Sequence, residues 1–149
     1  MSPRAACRLE QLGFSDVYDY VGGKTDWLAY DLPYEGENLL VSSVLRRNVP
    51  TAGRYERLAA VGERFDRAPA GMLVVVADSI VNGIVRRKQA EGADPGLTLE
   101  HVMNVGASTV RPAEDVDQLL HRMEHAGVSA ITVTRPDGVL VGIFDAENY

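Results

Sequence analysis

Asp78-Ser79-Ile80-Val81-Asn82-Gly83-Ile84-Val85 returns 59 residues later as Asp137-Gly138-Val139-Leu140-Val141-Gly142-Ile143-Phe144. The correspondence extends upstream. Thr51 opens a segment that runs into residues 55–65, and Thr109 opens one that runs into residues 116–123. Most of the chain is therefore one small unit written twice. With only two copies, the expected product is a pair that closes on itself rather than a solenoid. Such a pair builds a ligand cleft or a dimer surface more readily than a catalytic triad.

Within each copy the pattern predicts strand, helix, strand, strand. Asn48 to Thr51 should be extended, because a residue before proline is pushed out of the helical region. Tyr55, Leu58, Ala59, Gly62 and Phe65 recur at helical spacing and predict a buried stripe, broken by Pro69, Ala70 and Gly71. Residues 72–77 are apolar without polar alternation, as in a strand covered on both faces. Asp78-Ser79 is a turn, and residues 80–85 are the returning strand. In the second copy, residues 108–111 are extended and Val116, Leu119, Leu120 and Met123 predict a helical stripe ended by Gly127. Residues 130–134, a turn at 135–138 and residues 139–144 complete it. Between the copies, residues 86–90 look helical, residues 91–96 form a loop, and Thr98 caps a short helix over residues 99–103.

Residues 1–36 differ in kind. Ala6, Leu9 and Leu12 predict a helix ended by Gly13, and residues 14–20 read as a strand. Gly22-Gly23 turns the chain, and Thr25 can cap a short helix carrying Trp27 and Leu28. So short a segment cannot bury a core of its own and must lean on the repeats, lean on another chain, or remain partly mobile.

Composition excludes several classes. The 149 residues are 46% hydrophobic and 24% charged, a soluble globular profile for one ordinary domain, or one domain with an appendage. A net charge of −6 argues against nucleic acid and anionic membrane as partners. The longest apolar runs are too short to span a bilayer, and no signal peptide is evident. The single cysteine, Cys7, excludes an internal disulfide framework and a cysteine-based zinc site, and a reducing cytoplasm fits best. Two motifs are decoys. Gly23-Lys24-Thr25 lacks the glycine a phosphate loop needs at position 18, which is Tyr18. His121-Arg122-Met123-Glu124-His125 matches an H-x-x-E-H zinc pattern, but Met123 lies on the buried stripe and turns both histidines to solvent. No metal is expected.

The β-α-β-β unit with Asp-Gly-Val-Leu-Val-Gly-Ile at 137–143, preceded by His101-Val102-Met103 and Ser108-Thr109-Val110, resembles a CBS domain. The duplicated arrangement is similar to a CBS pair, or Bateman module, over about residues 38–149. The resemblance implies an α/β fold of α+β type, with two β-α-β-β-α repeats, 38–90 and 97–149, packed about a pseudo-two-fold axis. It also implies a non-catalytic regulatory module, two clefts able to hold an adenosine ligand such as AMP, ATP or S-adenosylmethionine, and a homodimer. Members follow the Gly-apolar-apolar of the last strand with Thr or Ser and, three residues on, an Asp that binds ribose. Here Asp145 and Asn148 hold those places in the second repeat, and Arg86 and Gln89 in the first. Asn accepts a ribose hydroxyl less strongly than a carboxylate would, and the bases at 86–88 could instead attract phosphate. The resemblance places Thr109, Ala130, Asp145 and Asn148 around one ligand, with Thr51, Arg86 and Gln89 in the first repeat. A dimerisation scaffold without a small ligand is the alternative, because fold alone does not deliver function.

The N-terminal residues have a second likeness. Ser2 to Glu10, Gly13-Phe14, Val17 to Tyr20, Gly23-Lys24, Asp26 to Ala29 and Leu32 to Gly36 resemble the C-terminal end of a rhodanese domain. In that family a cysteine in the loop ahead of this helix carries sulfur; that loop would lie upstream of Met1, and Cys7 falls inside the helix. Cys7 is therefore expected to be structural, since it lacks the helix N-terminus that would stabilise a thiolate. The likeness leads to the expectation that Met1 is an internal methionine of a longer rhodanese–CBS protein, or that the gene is a truncated relative. A sulfurtransferase is the corresponding rival function.

Overall fold

The structure is a computed structural model and describes residues 3–149. Its centre is two sheets, one from each repeat. The first has the spatial order β1 (Thr51–Gly53), β2 (Met72–Ala77), β3 (Ile80–Arg86), β4 (Asn104–Val105). The second runs β5 (Thr109–Val110), β6 (Ala130–Thr134), β7 (Leu140–Asp145). β1 pairs parallel to β2, and β5 to β6, whereas β2–β3 and β6–β7 are antiparallel hairpins. Each hairpin carries its register shift at the same place, Val75/Val76 in one and Val133/Thr134 in the other. The mixed α/β architecture anticipated from the repeat is what forms.

The two sheets face each other across Met72, Val74, Ile84, Ala130 and Ile143. At the hairpin turns they are joined by paired backbone bonds. Val81 N–H donates to the Gly138 carbonyl, and Leu140 N–H to the Ser79 carbonyl, both at 3.0 Å. These bonds exchange under a shift of 59 residues, which is the pseudo-two-fold relation expressed in hydrogen bonds. Asp78 and Ser79 both have positive φ (49° and 67°), so the first turn has the backbone twist favoured by tight hairpins.

The repeats also exchange segments. α6 (Leu99–Val102) and β4 belong to the second repeat in sequence but serve the first. Leu99 and Val102 are buried in the first repeat's outer core with Leu58, Val61, Phe65 and Leu73. Their backbone amides close on it as well, Leu99 N–H to the Glu56 carbonyl and Glu100 N–H to that of Arg54, both at 2.9 Å. In return, α3 (Val41–Val44) docks on the second repeat. Val41 joins Val110, Val116, Leu119 and Phe144, and the amides of Val41 and Ser42 donate to the carbonyls of Glu114 and Pro112. The crossing explains the two shared glycines. A Cβ on Gly83 would overlap the carbonyl of Asn104, and one on Gly142 the carbonyl of Arg46. Each glycine is where the other repeat's segment lies against a strand.

The connecting helices differ. In the second repeat α7 (Val116–Ala126) is continuous, started by the Asp115 carboxylate accepting from Gln118 N–H and ended by Gly127 at φ 64°. The helix expected over residues 55–65 does not form. A 3-10 turn at Leu58–Ala60 and a single turn, α4 (Arg64–Arg67), take its place. Leu58, Val61 and Phe65 are buried, but Tyr55, Ala59 and Gly62 are exposed. The amides of Leu58 and Ala59 bond the carbonyls of Leu97 and Pro95 across the loop, so they cannot bond back along a helix. α5 (Arg87–Glu91) forms where a helix was expected. Thr98 precedes α6, but its hydroxyl meets His101 Nδ1 at 2.8 Å and caps no amide.

The N-terminal arm departs from its expected plan. α1 (Pro3–Gln11) forms, yet buries no residue, and Cys7 is exposed, so it has no packing role. Residues 14–20 are not a strand, and Tyr18 (81%) and Val21 (95%) stand in solvent. Thr25 lies inside α2 (Gly23–Ala29), which starts after Gly22 and has no side-chain cap. The arm is held at α2. Leu28 is buried, Arg47 donates to the carbonyls of Ala29 and Leu28 and to Asp31, and Arg135 donates to Tyr30. The arm does lean on the repeats, through α2 and the residues just after it.

Candidate functional site

The exchange of segments leaves a cleft of about 430 Å³ between the halves. One wall is the crossing chain from Asn104 through Ser108 and Thr109 to Val110. A second is α7, through Leu119, Arg122 and Met123. Ala130 and Thr132 of β6 contribute a third, and Met72, Ile84 and Arg86 of the first repeat close it. The interior is mostly apolar with a few polar groups at fixed places, the usual make-up of a small-molecule site.

Three of the expected ligand residues meet here. Thr109 and Ala130 lie on the walls, and the first-repeat residue Arg86 stands beside them. The grouping by repeat is corrected to a crossed one: β3 ends at the second repeat's cleft because the sheets stack face to face. Asp145 and Asn148 are not on these walls. Asp145 is buried at the end of β7, and its carboxylate accepts from the Glu147 amide (3.2 Å) and the Asn148 side-chain amide (3.1 Å). Gln89 is likewise engaged, its side-chain amide donating to the Val102 carbonyl.

Thr51 lies on a second, shallower cleft of about 380 Å³ with Asn48, Val49, Pro50, Arg64 and Arg67. The repeat relates the two. Thr51 corresponds to Thr109, Arg64 to Arg122 and Glu56 to Glu114. Both arginine–glutamate pairs form, Arg64–Glu56 at 2.7 Å and Arg122–Glu114 at 2.8 Å. In the shallow cleft the clamp is tighter. Arg64 grips both Glu56 oxygens and the Thr51 carbonyl, while Glu56 also accepts from Gly53 N–H at 2.7 Å. The hydrogen bond from Arg64, with that from the Gly53 amide, holds the Glu56 carboxyl below its ordinary pKa. Ala130 and its repeat counterpart, the fully buried Met72, both lie on the open cleft.

Sequence reasoning missed Thr132 and the role of Arg122. Thr132 is 1% exposed, lines the open cleft, and its hydroxyl has no hydrogen-bond partner among the described residues. A threonine inside an apolar strand was the available signal. Arg122 was read only within the histidine motif, although it lies 58 residues beyond Arg64. His121 and His125 are exposed, and the His125 Nδ1 is 2.8 Å from the His121 carbonyl oxygen. Among the described residues no group of three His, Cys, Asp or Glu side chains could hold a metal ion, and no helix is long and apolar enough to cross a membrane.

Residues 99–148 match the family model of the CBS domain. No curated protein matches the chain. Among solved structures, the CBS domains of a transcriptional regulator from Streptococcus pneumoniae superpose with a TM-score of 0.67 at 18% identity, over 75% of this chain and 97% of that one. The CBS domain pair of protein MJ0100, in complex with 5′-methylthioadenosine and S-adenosyl-L-methionine, gives 0.66 at 21% identity over 74% and 92%. The cytosolic domain of the Mg2+ channel MgtE in complex with ATP gives 0.67 at 17% identity, over 75% of this chain and 47% of that one. The present chain thus spans about half the length of the last. The fold is that of a CBS domain pair. The family match lies wholly in the second repeat and does not extend to residues 1–36.

Proposed function

We propose that the protein is a non-catalytic regulatory module, built of repeats 38–90 and 97–149, that senses an adenosine compound in the open cleft. The observation that carries this reading is the cleft itself: about 430 Å³, mostly apolar, formed jointly by the two repeats around Thr109, Ala130 and Arg86. A ligand there touches both halves at once, so its binding is coupled to how the halves sit on each other. The ATP, 5′-methylthioadenosine and S-adenosyl-L-methionine complexes of the structural neighbours support the ligand class. The shallow cleft, with Arg64 committed to Glu56 and the Thr51 carbonyl, is proposed to stay empty, so one ligand binds per chain.

Thermal-shift measurements with AMP, ATP, S-adenosylmethionine and adenosine test the reading. A compound at one hundred times its Kd stabilises the folded chain by about 2.7 kcal/mol, which raises Tm by several degrees. Ala130→Leu, which fills the cleft, should abolish that rise; because it also crowds the seam between the sheets, the shift is read against the variant's own unliganded Tm. A panel in which no adenosine compound moves Tm would leave the dimerisation scaffold as the better account.

A further inference from the structure

We propose that the open cleft reads ligand charge through Arg86 and selects phosphate-bearing adenosine compounds over the sulfonium cation of S-adenosylmethionine. The inference rests on the sensing reading above and narrows it.

The cleft walls carry two guanidinium groups, Arg86 and Arg122, and no carboxylate. Arg122 is already paired with Glu114. Arg86 is half-buried and makes no ion pair or side-chain hydrogen bond among the described residues. Its neighbour Arg87, by contrast, pairs with Asp66 at 2.7 Å. An uncommitted guanidinium on the wall of a largely apolar cleft attracts phosphate, for which its planar fork is suited, and repels a cation. The corresponding position in the other repeat is Asp145, whose carboxylate is turned to Asn148 and the Glu147 amide. At this strand-end position the uncommitted guanidinium belongs to the open cleft alone; Arg67, on the shallow cleft, is exposed.

A second, independent observation points to the same site. The buried Thr132 hydroxyl lacks a partner and lies on the cleft wall among Met72, Ile84 and Ala130. A buried hydroxyl left unpaired is costly, and a ligand with a polar ring edge would satisfy it. The cleft therefore offers an apolar bed with an unpartnered buried hydroxyl for a heteroaromatic ring and a free cation for a phosphate.

Calorimetric titration of the full chain with ATP, ADP, AMP, adenosine and S-adenosylmethionine tests the proposal. ATP and ADP should bind more tightly than adenosine, and S-adenosylmethionine more weakly than adenosine. Arg86→Ala should weaken ATP by about 10- to 100-fold while leaving adenosine within about threefold, the loss expected of one charge-assisted contact. Arg86→Lys, which keeps the charge and the fold but loses the fork, should fall between. Thr132→Val should weaken adenosine and ATP alike, and Arg67→Ala in the shallow cleft should weaken neither. S-adenosylmethionine binding as tightly as ATP, or ATP affinity unchanged in both Arg86 variants, overturns the proposal and leaves the sensing reading standing. Binding of none of the five compounds overturns both.

Discussion

The two repeats share their hairpins, their crossing segments and their arginine–glutamate pairs, yet they treat the chain between first and second strand differently. In the second repeat that chain is an eleven-residue helix with a side-chain cap and a left-handed glycine stop. In the first, the same span breaks into a 3-10 turn and one helical turn, and its amides are taken by the loop at 95–97. The difference teaches that the hydrophobic spacing shared by the repeats specifies burial, while the capping residues decide whether buried positions lie on a helix. It also separates the clefts. The continuous helix forms one wall of the open cleft, while the broken one places Arg64 in a closed clamp with Glu56.

The largest expected effect tests what the repeats hold in common. Gly83→Ala and Gly142→Ala should each destabilise the chain by about 3 kcal/mol, because the added methyl meets the backbone of the crossing segment, which cannot move aside. Denaturant unfolding of both variants measures it. If one glycine tolerates alanine, the exchange is not symmetrical. A smaller effect tests what they do not share. Asp115→Ala should cost about 1 kcal/mol by removing the cap of α7, whereas Arg57→Ala, at the corresponding position, should be close to neutral. Equal losses at the two positions would remove the contrast between the helices.

The smallest effect is a pH dependence confined to the first repeat. Glu56 titrates below its ordinary value because Arg64 and the Gly53 amide bind its charged form. Its contribution is therefore complete above the ordinary carboxylate pKa and disappears as pH falls through the lowered one. The side chains are about one-third exposed (32% and 35%), so screening limits the contribution to about 0.5 kcal/mol. Glu56→Gln should flatten the acid limb of a Tm–pH curve by that amount, and an unchanged limb would deny the clamp its energetic role.

Much of this fold was legible in the chain. Residues 72–77 and 130–134 read as strands from β-branched runs, the turns at 78–79 and 135–138 from their residues, and α7 from its stripe and Gly127. The helix over 55–65 was not, since Leu58, Val61 and Phe65 fit helical spacing without the backbone bonding of one. Nor was the exchange of α3 and α6, because helices of four residues leave no periodicity and their docking partners are distant in sequence. The site shows the same division. Thr109, Ala130 and Arg86 were singled out through the family resemblance, but reading each copy by itself assigned Arg86 away from Thr109. Only the stacking of the sheets brings them to one cleft, and only that stacking leaves the Thr132 hydroxyl inside it.

The crossing of α3 and α6 bears on ancestry. Each repeat lacks, within its own layer, the segment that fills its outer core, and obtains it from the other copy. A single ancestral copy could have completed itself only by trading that segment with a second molecule. Fusion of two such genes would then have made permanent, in one chain, an intertwining that began between subunits. Once the partners were joined, their sequences no longer had to be the same. That freedom is what allowed Arg86 and Asp145, or Met72 and Ala130, to drift apart in character while Gly83 and Gly142 stayed alike.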